Sequence, residues 1–317
     1  MAPQNFAAWL MKKQDAIHVV NDAPYNKPEA DEIVIQTKAV AINPVDLAIQ
    51  NTGIIIDTYP AILGCDVAGV VEEVGSSIKD FQSGDRVIGL AQPAPGGIYK
   101  YSGFQQYVVL KMPLIAQIPN AAKWTDATVL PLGIDTAALL PFSEGSSVGS
   151  CGVQLAAAAG YEVFGFASTK NHDFVKSLGA AQTFDHSDPN IVNVIVAALK
   201  DRTCVGAFDA ISNEKTLGVL CDVLHQSGGR KAVGALAPGA KAFATHDVSI
   251  TTNFAARNSE TAVGPQIWHV YLEPALASGA LQYKPSAEIV GHGLQDVQKA
   301  INLLTQGISA KKLVLSV

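Results

Sequence analysis

Small residues in the middle of the chain precede an apolar helix pattern, in a spacing that could bind a phosphate. Gly145 and Gly149 precede the run SCGVQLAAAAG, which contains Gly152 and whose small side chains suit a helix packed closely on a sheet. The first turn of such a helix offers N–H groups and the positive end of the helix dipole to an anion. Because the spacing is not G-x-G-x-x-G, a tight connection without a ligand is the alternative interpretation.

The residues after the next predicted strand favour one dinucleotide over the other. The strand YEVFGFAS ends at Ser168, nineteen positions after Gly149, where an NAD-binding unit usually carries Asp or Glu for the ribose 2′-hydroxyl. This chain has Ser168, Thr169, Lys170 and Asn171 there, which supply hydroxyls, an amide and a cation but no carboxylate. Such side chains can hold a 2′-phosphate, so the sequence favours NADP(H). A helix-capping role for Ser168 or Thr169 is compatible with this.

Two different sequence patterns predict the structural elements that must position these residues. In the first third, short Val- and Ile-rich runs cut by glycines are typical of a small, partly closed β-barrel. From Thr125 onward, apolar strands alternate with amphipathic helices, which predicts a doubly wound parallel sheet. The tail returns to a different pattern. We therefore expect an α/β protein with a discontinuous barrel domain of residues 1–132 and 267–317 and a nucleotide-binding domain of residues 133–266.

Composition excludes several classes of function. The 317 residues are 48% hydrophobic and 16% charged, which is enough apolar material for two packed domains. A net charge of −6 without a basic cluster argues against a nucleic-acid partner. No apolar run reaches the length of a membrane span, and the N-terminus lacks the pattern of a signal peptide. Four scattered cysteines are typical of a reducing compartment, so we expect a cytoplasmic protein without membrane contact.

Seven segments occur in the order found in the medium-chain dehydrogenase/reductase superfamily, which the whole chain resembles. They are AVAINPVDLAIQNTG, YPAILGCDVAGVVEEVG, SGDRVIGLA, GFQQYVVL, LPLGIDTAALL, GSSVGSCGVQLA and KKLVLSV. Within that superfamily the chain resembles the zinc-independent quinone-oxidoreductase-like branch and, more narrowly, fungal trans-acting enoyl reductases. The resemblance implies a GroES-like β-barrel domain, a Rossmann domain and an active site in the cleft between them.

The resemblance also bears on a metal. Zinc-dependent members have a Cys where this chain has Asn43 and a His–Glu pair where it has Cys65 and Asp66, and the four-cysteine structural lobe is absent. Because catalytic zinc needs three convergent protein ligands, we expect no zinc here. The implied reaction is reduction of a C=C bond conjugated to a carbonyl. The alternatives are a zinc-type alcohol dehydrogenase and a non-catalytic nucleotide-binding member of the fold.

The same resemblance implies individual site residues. Asn43 and Asp46 lie in the NPVD segment, which borders the nicotinamide and ribose in the family, and Tyr59 is a candidate proton donor; these three are the catalytic candidates. Asp66 is expected to order the barrel. The residues implied to contact NADP(H) are Asn43, Pro44, Asp46, Gly133, Thr136, Ser146, Ser147, Val148, Gly149, Ser168, Lys170, Asn171, His186, Leu236, Val314 and Leu315. For His186, an exposed loop position without a ligand is the alternative.

The sequence leaves two alternatives for the substrate and two for the oligomeric state. The substrate is either a carrier-bound enoyl thioester, with a polyketide synthase as the partner in trans, or a free enone or quinone. The quinone-reductase relatives pair and the trans-acting enoyl reductases are monomers, so the resemblance leaves both states open.

Two junctions are shorter than the family pattern. Near residues 142–144 relatives carry the first strand of the nucleotide-binding sheet, and near residues 257–258 they carry a loop that borders the substrate cleft. A parallel sheet without that strand loses its most buried element, so a true deletion predicts loss of cofactor binding. An incomplete sequence and an incorrect gene model are the other interpretations.

Overall fold

The computed structural model of the protein describes residues 3–138, 147–252 and 259–317 and divides into two compact units. Unit 1 comprises residues 1–132 and 258–317, and unit 2 comprises residues 133–257. The domain boundary at 266/267 stays a prediction from the sequence.

Strands dominate the first described range, whereas strands and helices alternate in the second. Residues 3–138 contain β1 (Asn5–Leu10), β2 (Val19–Ala23), β3 (Glu32–Ala41), α1 (Pro44–Thr52), β4 (Ala61–Ile62), β5 (Asp66–Val74), β6 (Arg86–Leu90), β7 (Tyr107–Lys111), β8 (Ile115–Gln117), α2 (Trp124–Ala127) and α3 (Pro131–Ala138). Residues 147–252 contain α4 (Ser147–Ala158), β9 (Val163–Ala167), α5 (His172–Ser177), β10 (Ala180–Asp185), α6 (Ile191–Ala198), β11 (Ala207–Asp209), α7 (Glu214–Ser227), β12 (Ala232–Ala235) and β13 (Ser249–Thr252). Residues 259–317 contain α8 (Val263–Pro265), a π-helical segment (Gln266–Leu272), α9 (Glu273–Ser278), β14 (Ser286–His292), α10 (Val297–Leu304) and β15 (Lys311–Ser316). No helix in these ranges is long and apolar enough to cross a membrane.

Unit 1 is built on a sheet that joins the two ends of the chain. Seven described strands form it, in the order β14-β15-β3-β5-β6-β8 with β7 also paired to β3. All these pairs are antiparallel except β14 with β15. The register places Val314 of β15 opposite Ala41 of β3. The C-terminal strand therefore runs beside the point where β3 leads into α1.

Close approach of β3 and β5 depends on one glycine. A Cβ atom on Gly69 would lie 2.3 Å from the backbone oxygen of Gln36, so no side chain fits at that position. The core beneath the sheet contains Ile49 of α1, Ile301 of α10 and Leu315 of β15, each completely buried. Helices from both ends of unit 1 thus pack into one hydrophobic core.

Unit 2 contains parallel strands in two separate sheets. β9 pairs with β10 in one sheet, and β11, β12 and β13 form the other in that order. A doubly wound sheet has the strand order 3-2-1-4-5-6, and no described strand takes the first strand's place between β9 and β11. Phe166 of β9 packs against the core around Leu217 and Val233, which links the two sheets by side-chain contact. The junctions at residues 142–144 and 257–258 lie outside the described residues.

Candidate active site

The NPVD segment forms the start of α1 in unit 1. Asn43 precedes the helix with an extended backbone, and Pro44 takes the first helical position, where its lack of an N–H group costs nothing. The Asn43 backbone N–H donates to Asp46 Oδ2 at 2.8 Å, which closes the first turn from within. The local sequence therefore holds Asn43 and Asp46 next to each other.

Asn43 also belongs to a buried triad with Asp66 and Lys312. Asp66 Oδ2 accepts a hydrogen bond from Asn43 Nδ2 at 2.9 Å and lies 2.9 Å from the Lys312 ammonium. Lys312 donates in turn to Asn43 Oδ1. The second carboxylate oxygen of Asp66 accepts from the Leu132 backbone N–H at 2.6 Å, near the start of α3. Asp66 thus ties β5, β15, the start of α1 and the start of α3 together within unit 1.

Lys312 is the site residue that the sequence reasoning missed. Its side chain is 5% exposed although it carries a charge, and a lysine is almost never buried without a partner. The available signal was its place in the strand KKLVLSV, where Lys312 begins the buried run that continues through Leu315.

Burial shifts the acid–base properties of the two groups beside the triad. Burial raises the pKa of Asp46 to about 7, and the nearby Asp66 charge adds to this, whereas the Asn43 N–H and Lys312 act in the opposite direction. Burial likewise raises the pKa of the Cys65 thiol well above its ordinary value, again with Asp46 and Asp66 adding to the effect.

Tyr59, the candidate proton donor, has a buried hydroxyl in unit 1. Among the described residues no partner lies within hydrogen-bond distance of that hydroxyl. A Cβ atom placed on Gly53 would come within 3.2 Å of it, so the ring packs closely over the end of α1. The ring also packs against the unit 1 core.

Val314 and Leu315, the predicted cofactor contacts of the last strand, are both completely buried. Leu315 packs in the unit 1 core, so its side chain has no surface free for a ligand. Lys312, which precedes them in the same strand, is the polar side chain that this strand contributes to the triad.

In unit 2, α3 packs tightly on the first turn of α4. A Cβ atom on Gly133 would lie 3.0 Å from Cys151 Sγ and 3.1 Å from Ser147 Oγ, so glycine allows this contact. Thr136 follows in α3 and is 9% exposed. Ser147, Val148 and Gly149 form the first turn of α4, as the phosphate-loop prediction requires, and Ser146 lies outside the described residues.

The turn after β9 contains the predicted 2′-phosphate residues. Asn171 Nδ2 donates to Ser168 Oγ at 3.2 Å, so the Ser168 hydroxyl hydrogen stays available for an anion. Lys170 is exposed.

The four residues of this turn include no carboxylate, but a neighbouring strand brings one beside them. Asp185, at the end of the adjacent parallel strand β10, accepts a hydrogen bond from Thr169 Oγ1 at 2.7 Å. The Ser187 hydroxyl and backbone N–H also donate to it and, with Thr169, hold the pKa of Asp185 well below its usual range. Asp185 is therefore ionised, and it accepts the hydrogen bond that the Thr169 hydroxyl could otherwise donate to a ligand. Ser168 and Lys170 are then the side chains of this turn that can donate to a phosphate.

A cavity of about 370 Å³ opens at the carboxyl ends of the parallel strands in unit 2. Its walls are mostly apolar or aromatic, and polar groups come from the end of β11, from the loops after β10 and β11 and from the first turn of α7. The lining residues are Phe166, His186, Ile191, Phe208, Asp209, Ile211, Asn213, Lys215, Thr216, Val219 and Leu220. The carboxyl edge of a parallel sheet is where ligands bind in doubly wound folds. His186 therefore lies in a cavity wall.

Leu236, the predicted contact after β12, is held by the loop that follows β11. Its backbone N–H donates to Ser212 Oγ at 2.7 Å, and Ser212 Oγ donates to the Asp209 backbone oxygen at 2.6 Å. The loops at the carboxyl ends of β11 and β12 are thus connected.

The described residues offer no ready metal centre. No group of three or more His, Cys, Asp and Glu side chains among them is arranged to hold a metal ion. By the resemblance, Asn43 stands where zinc-dependent members have a Cys, and Cys65 and Asp66 stand where they have a His–Glu pair. Asn43 and Asp66 are both bonded to the Lys312 ammonium. A cation already sits in this donor set, so the residues do not fit a zinc ion.

Comparison with protein families assigns both units. Residues 29–120 match the alcohol dehydrogenase GroES-like domain, and residues 147–264 match the zinc-binding dehydrogenase family. These matches confirm the predicted fold class, a GroES-like domain combined with a Rossmann-like domain.

Relatives match along the whole chain. CipB of Emericella nidulans, a zinc-binding alcohol dehydrogenase domain-containing protein, is 40% identical and the match covers 98% of both chains. The trans-enoyl reductase HimH of Aspergillus japonicus is 34% identical over 99% of this chain and 97% of its own. A solved alcohol dehydrogenase superfamily protein of Novosphingobium aromaticivorans superposes with a TM-score of 0.80 at 21% identity, over 99% of both chains.

The alignment lengths also bear on the short junctions. The alignment with CipB extends over 312 residues and takes in 98% of both chains, so CipB has almost no insertions relative to this chain. The alignment with HimH extends over 335 residues, which is more than this chain has. CipB therefore shares the short length. From the family matches and the full-length similarity to dehydrogenases and enoyl reductases, the chain belongs to the medium-chain dehydrogenase/reductase superfamily and is an oxidoreductase.

Proposed function

We propose that this protein is an NADPH-dependent, zinc-independent reductase that transfers hydride to the C=C bond of an α,β-unsaturated carbonyl compound. The observation that carries the proposal is the Asn43–Asp66–Lys312 triad. Alcohol oxidation in this superfamily uses a metal to polarise the alcohol oxygen, and here a lysine ammonium holds the corresponding side chains. An activated C=C bond needs no such metal.

The residues of unit 2 support NADP(H) as the cofactor. The apolar cavity with Phe166 and Phe208 in its walls suits a flat adenine ring, and the first turn of α4 suits the pyrophosphate. Ser168 and Lys170 can donate to a 2′-phosphate, and this favours NADPH although Asp185 lies beside them.

When bound, NADPH would supply the hydride that adds to the β-carbon of the substrate. The residues of this chain would hold the cofactor, and a protein group would then deliver a proton to the α-carbon. Tyr59 stays the candidate donor, because its hydroxyl has a hydrogen and is not committed to a described acceptor. Asn43 and Asp46 stay the residues expected beside the nicotinamide ribose.

The substrate class follows from the relatives more than from the site. Several relatives are named trans-enoyl reductases, which favours an enoyl thioester carried by a polyketide synthase over a free enone or quinone. We expect the protein to act on such a carrier-bound chain in trans.

Cofactor oxidation with a panel of acceptors tests the proposal. Purified protein would be mixed with NADPH or NADH and with enoyl thioesters, enones, quinones and simple alcohol–aldehyde pairs. Faster oxidation of NADPH with an enoyl thioester, unchanged by a chelator, is the expected result. Zinc-dependent oxidation of an alcohol would refute it.

The divided sheet of unit 2 favours one alternative, a non-catalytic nucleotide-binding protein. Among the described residues no strand joins β9 to β11, and this edge normally supports the phosphate loop. Tight NADPH binding without turnover of any acceptor would support this alternative, and turnover would exclude it.

A further inference from the structure

Lys312 brings a fixed positive charge to the positions where a metal would have to bind. The residue lies 269 positions after Asn43 in the chain, yet its ammonium donates to the Asn43 side-chain oxygen. It also lies 2.9 Å from Asp66 Oδ2, the same oxygen that accepts from Asn43 Nδ2. Each side chain of the triad is therefore bonded to the other two.

Charge balance explains why the triad is stable when buried. The side chains of Lys312 and Asp66 are 5% and 0% exposed, and a buried charge is tolerated only when an opposite charge and hydrogen bonds compensate it. A divalent cation placed among the same oxygens would be repelled by the ammonium, most strongly in a medium of low dielectric constant. A zinc ion could therefore bind these two oxygens only by displacing the ammonium.

We propose that the Lys312 ammonium permanently takes the place of a metal cation in this site, where it excludes zinc and fixes the orientation of the Asn43 amide. Its bond to Oδ1 turns Nδ2 of Asn43 towards Asp66, so the amide cannot flip. Lys312 is thus a positioning residue for Asn43. The exclusion of zinc does not depend on whether the protein is a reductase. The positioning of Asn43 for catalysis rests on the proposed function.

Zinc titration of the full-length protein tests the exclusion. Wild-type protein and the D66N variant would each be incubated with zinc chloride, passed through a desalting column and analysed for metal. We expect the same zinc content in both proteins. Any zinc bound at the surface, for example by the exposed and stacked pair His225 and His246, would be bound equally by the two. One zinc per chain in the wild type that D66N lacks would overturn the proposal.

Thermal unfolding tests the charge compensation, with Lys311 as a matched control. Lys311 is the neighbouring lysine of β15, but it is 56% exposed and pairs with Glu288 at the surface. We expect K312M to lower the melting temperature by at least about 5 °C more than K311M, since it leaves the Asp66 carboxylate buried and unpaired. K312R should restore most of the loss. Equal shifts for K312M and K311M would overturn the proposal.

The double variant D66N/K312M separates charge compensation from general damage. Removing both charges leaves the Asn43 amide beside the amide introduced at position 66, and the two can bond to each other after Asn43 flips. We expect a melting temperature above that of K312M, and a folded double variant suffices if K312M does not fold. A double variant no more stable than K312M, or one that does not fold, would contradict the compensation.

Turnover by the same double variant tests the positioning role. We expect its kcat to fall about tenfold although its stability recovers, because Asn43 is no longer held in one orientation. K312R should retain kcat. An unchanged kcat in the double variant would overturn the positioning role. If the wild type reduces no acceptor, the proposed function fails while the zinc and stability results still decide the exclusion.

Discussion

Replacing Asp46 by Asn should remove a specific part of the pH dependence of stability. Asp46 is completely buried, and burial raises its pKa to about 7, whereas an unfolded Asp titrates near 3.9. The folded protein therefore binds the Asp46 proton more tightly than the unfolded chain does. The resulting stabilisation is fully present below the unfolded pKa and is lost as the pH rises through the folded pKa.

The size of the effect follows from these two pKa values. Between pH 5.5 and 8 the unfolded carboxyl is ionised throughout, while the folded carboxyl changes from protonated to mostly ionised. The free energy of unfolding should fall by about 2 kcal/mol over this range because of Asp46 alone. The D46N variant has the same shape and no titrating group, so its stability should lack this loss.

Urea unfolding followed by tryptophan fluorescence measures the stability of unit 1, which contains Asp46. The three tryptophans of the chain, Trp9, Trp124 and Trp268, all belong to this unit. The control is D80N, which removes an exposed carboxylate from the same unit. Wild type and D46N losing stability in parallel between pH 5.5 and 8 would refute the reasoning.

Three further predictions concern cofactor binding and packing. I211D should weaken NADPH binding about tenfold in a fluorescence titration, because the side chain lines the apolar cavity, whereas V205D at an exposed position outside it should not. K170A should weaken binding of NADPH about fivefold and leave that of NADH unchanged, and an equal effect on both would argue against a 2′-phosphate contact. G69A should destabilise unit 1 to urea by about 1–3 kcal/mol, because its Cβ would lie 2.3 Å from the Gln36 oxygen; a stable variant would show that β3 can shift.

Local pattern was sufficient for the element types and for the position of the turn that is predicted to bind the cofactor. Alternating and periodic apolar residues predicted the β-rich first third and the parallel units after Thr125, because both depend on neighbours along the chain. The turn at Ser168–Asn171 could be located because it follows its strand directly. The start of α1 at Pro44 was not predicted, although the Asn43–Asp46 hydrogen bond that stabilises it lies within four consecutive residues.

What the sequence by itself determined is therefore the set of groups that are neighbours in the chain: the NPVD turn, the small-residue helix and the polar turn after β9. Only the tertiary structure decided which distant groups join them. The β15–β3 register brings Lys312 to Asn43 across 269 positions, and the parallel pairing of β9 with β10 brings Asp185 to Thr169. The physical reason is that strand order and register are set by burial of whole sheet faces, and no short stretch of sequence carries that information.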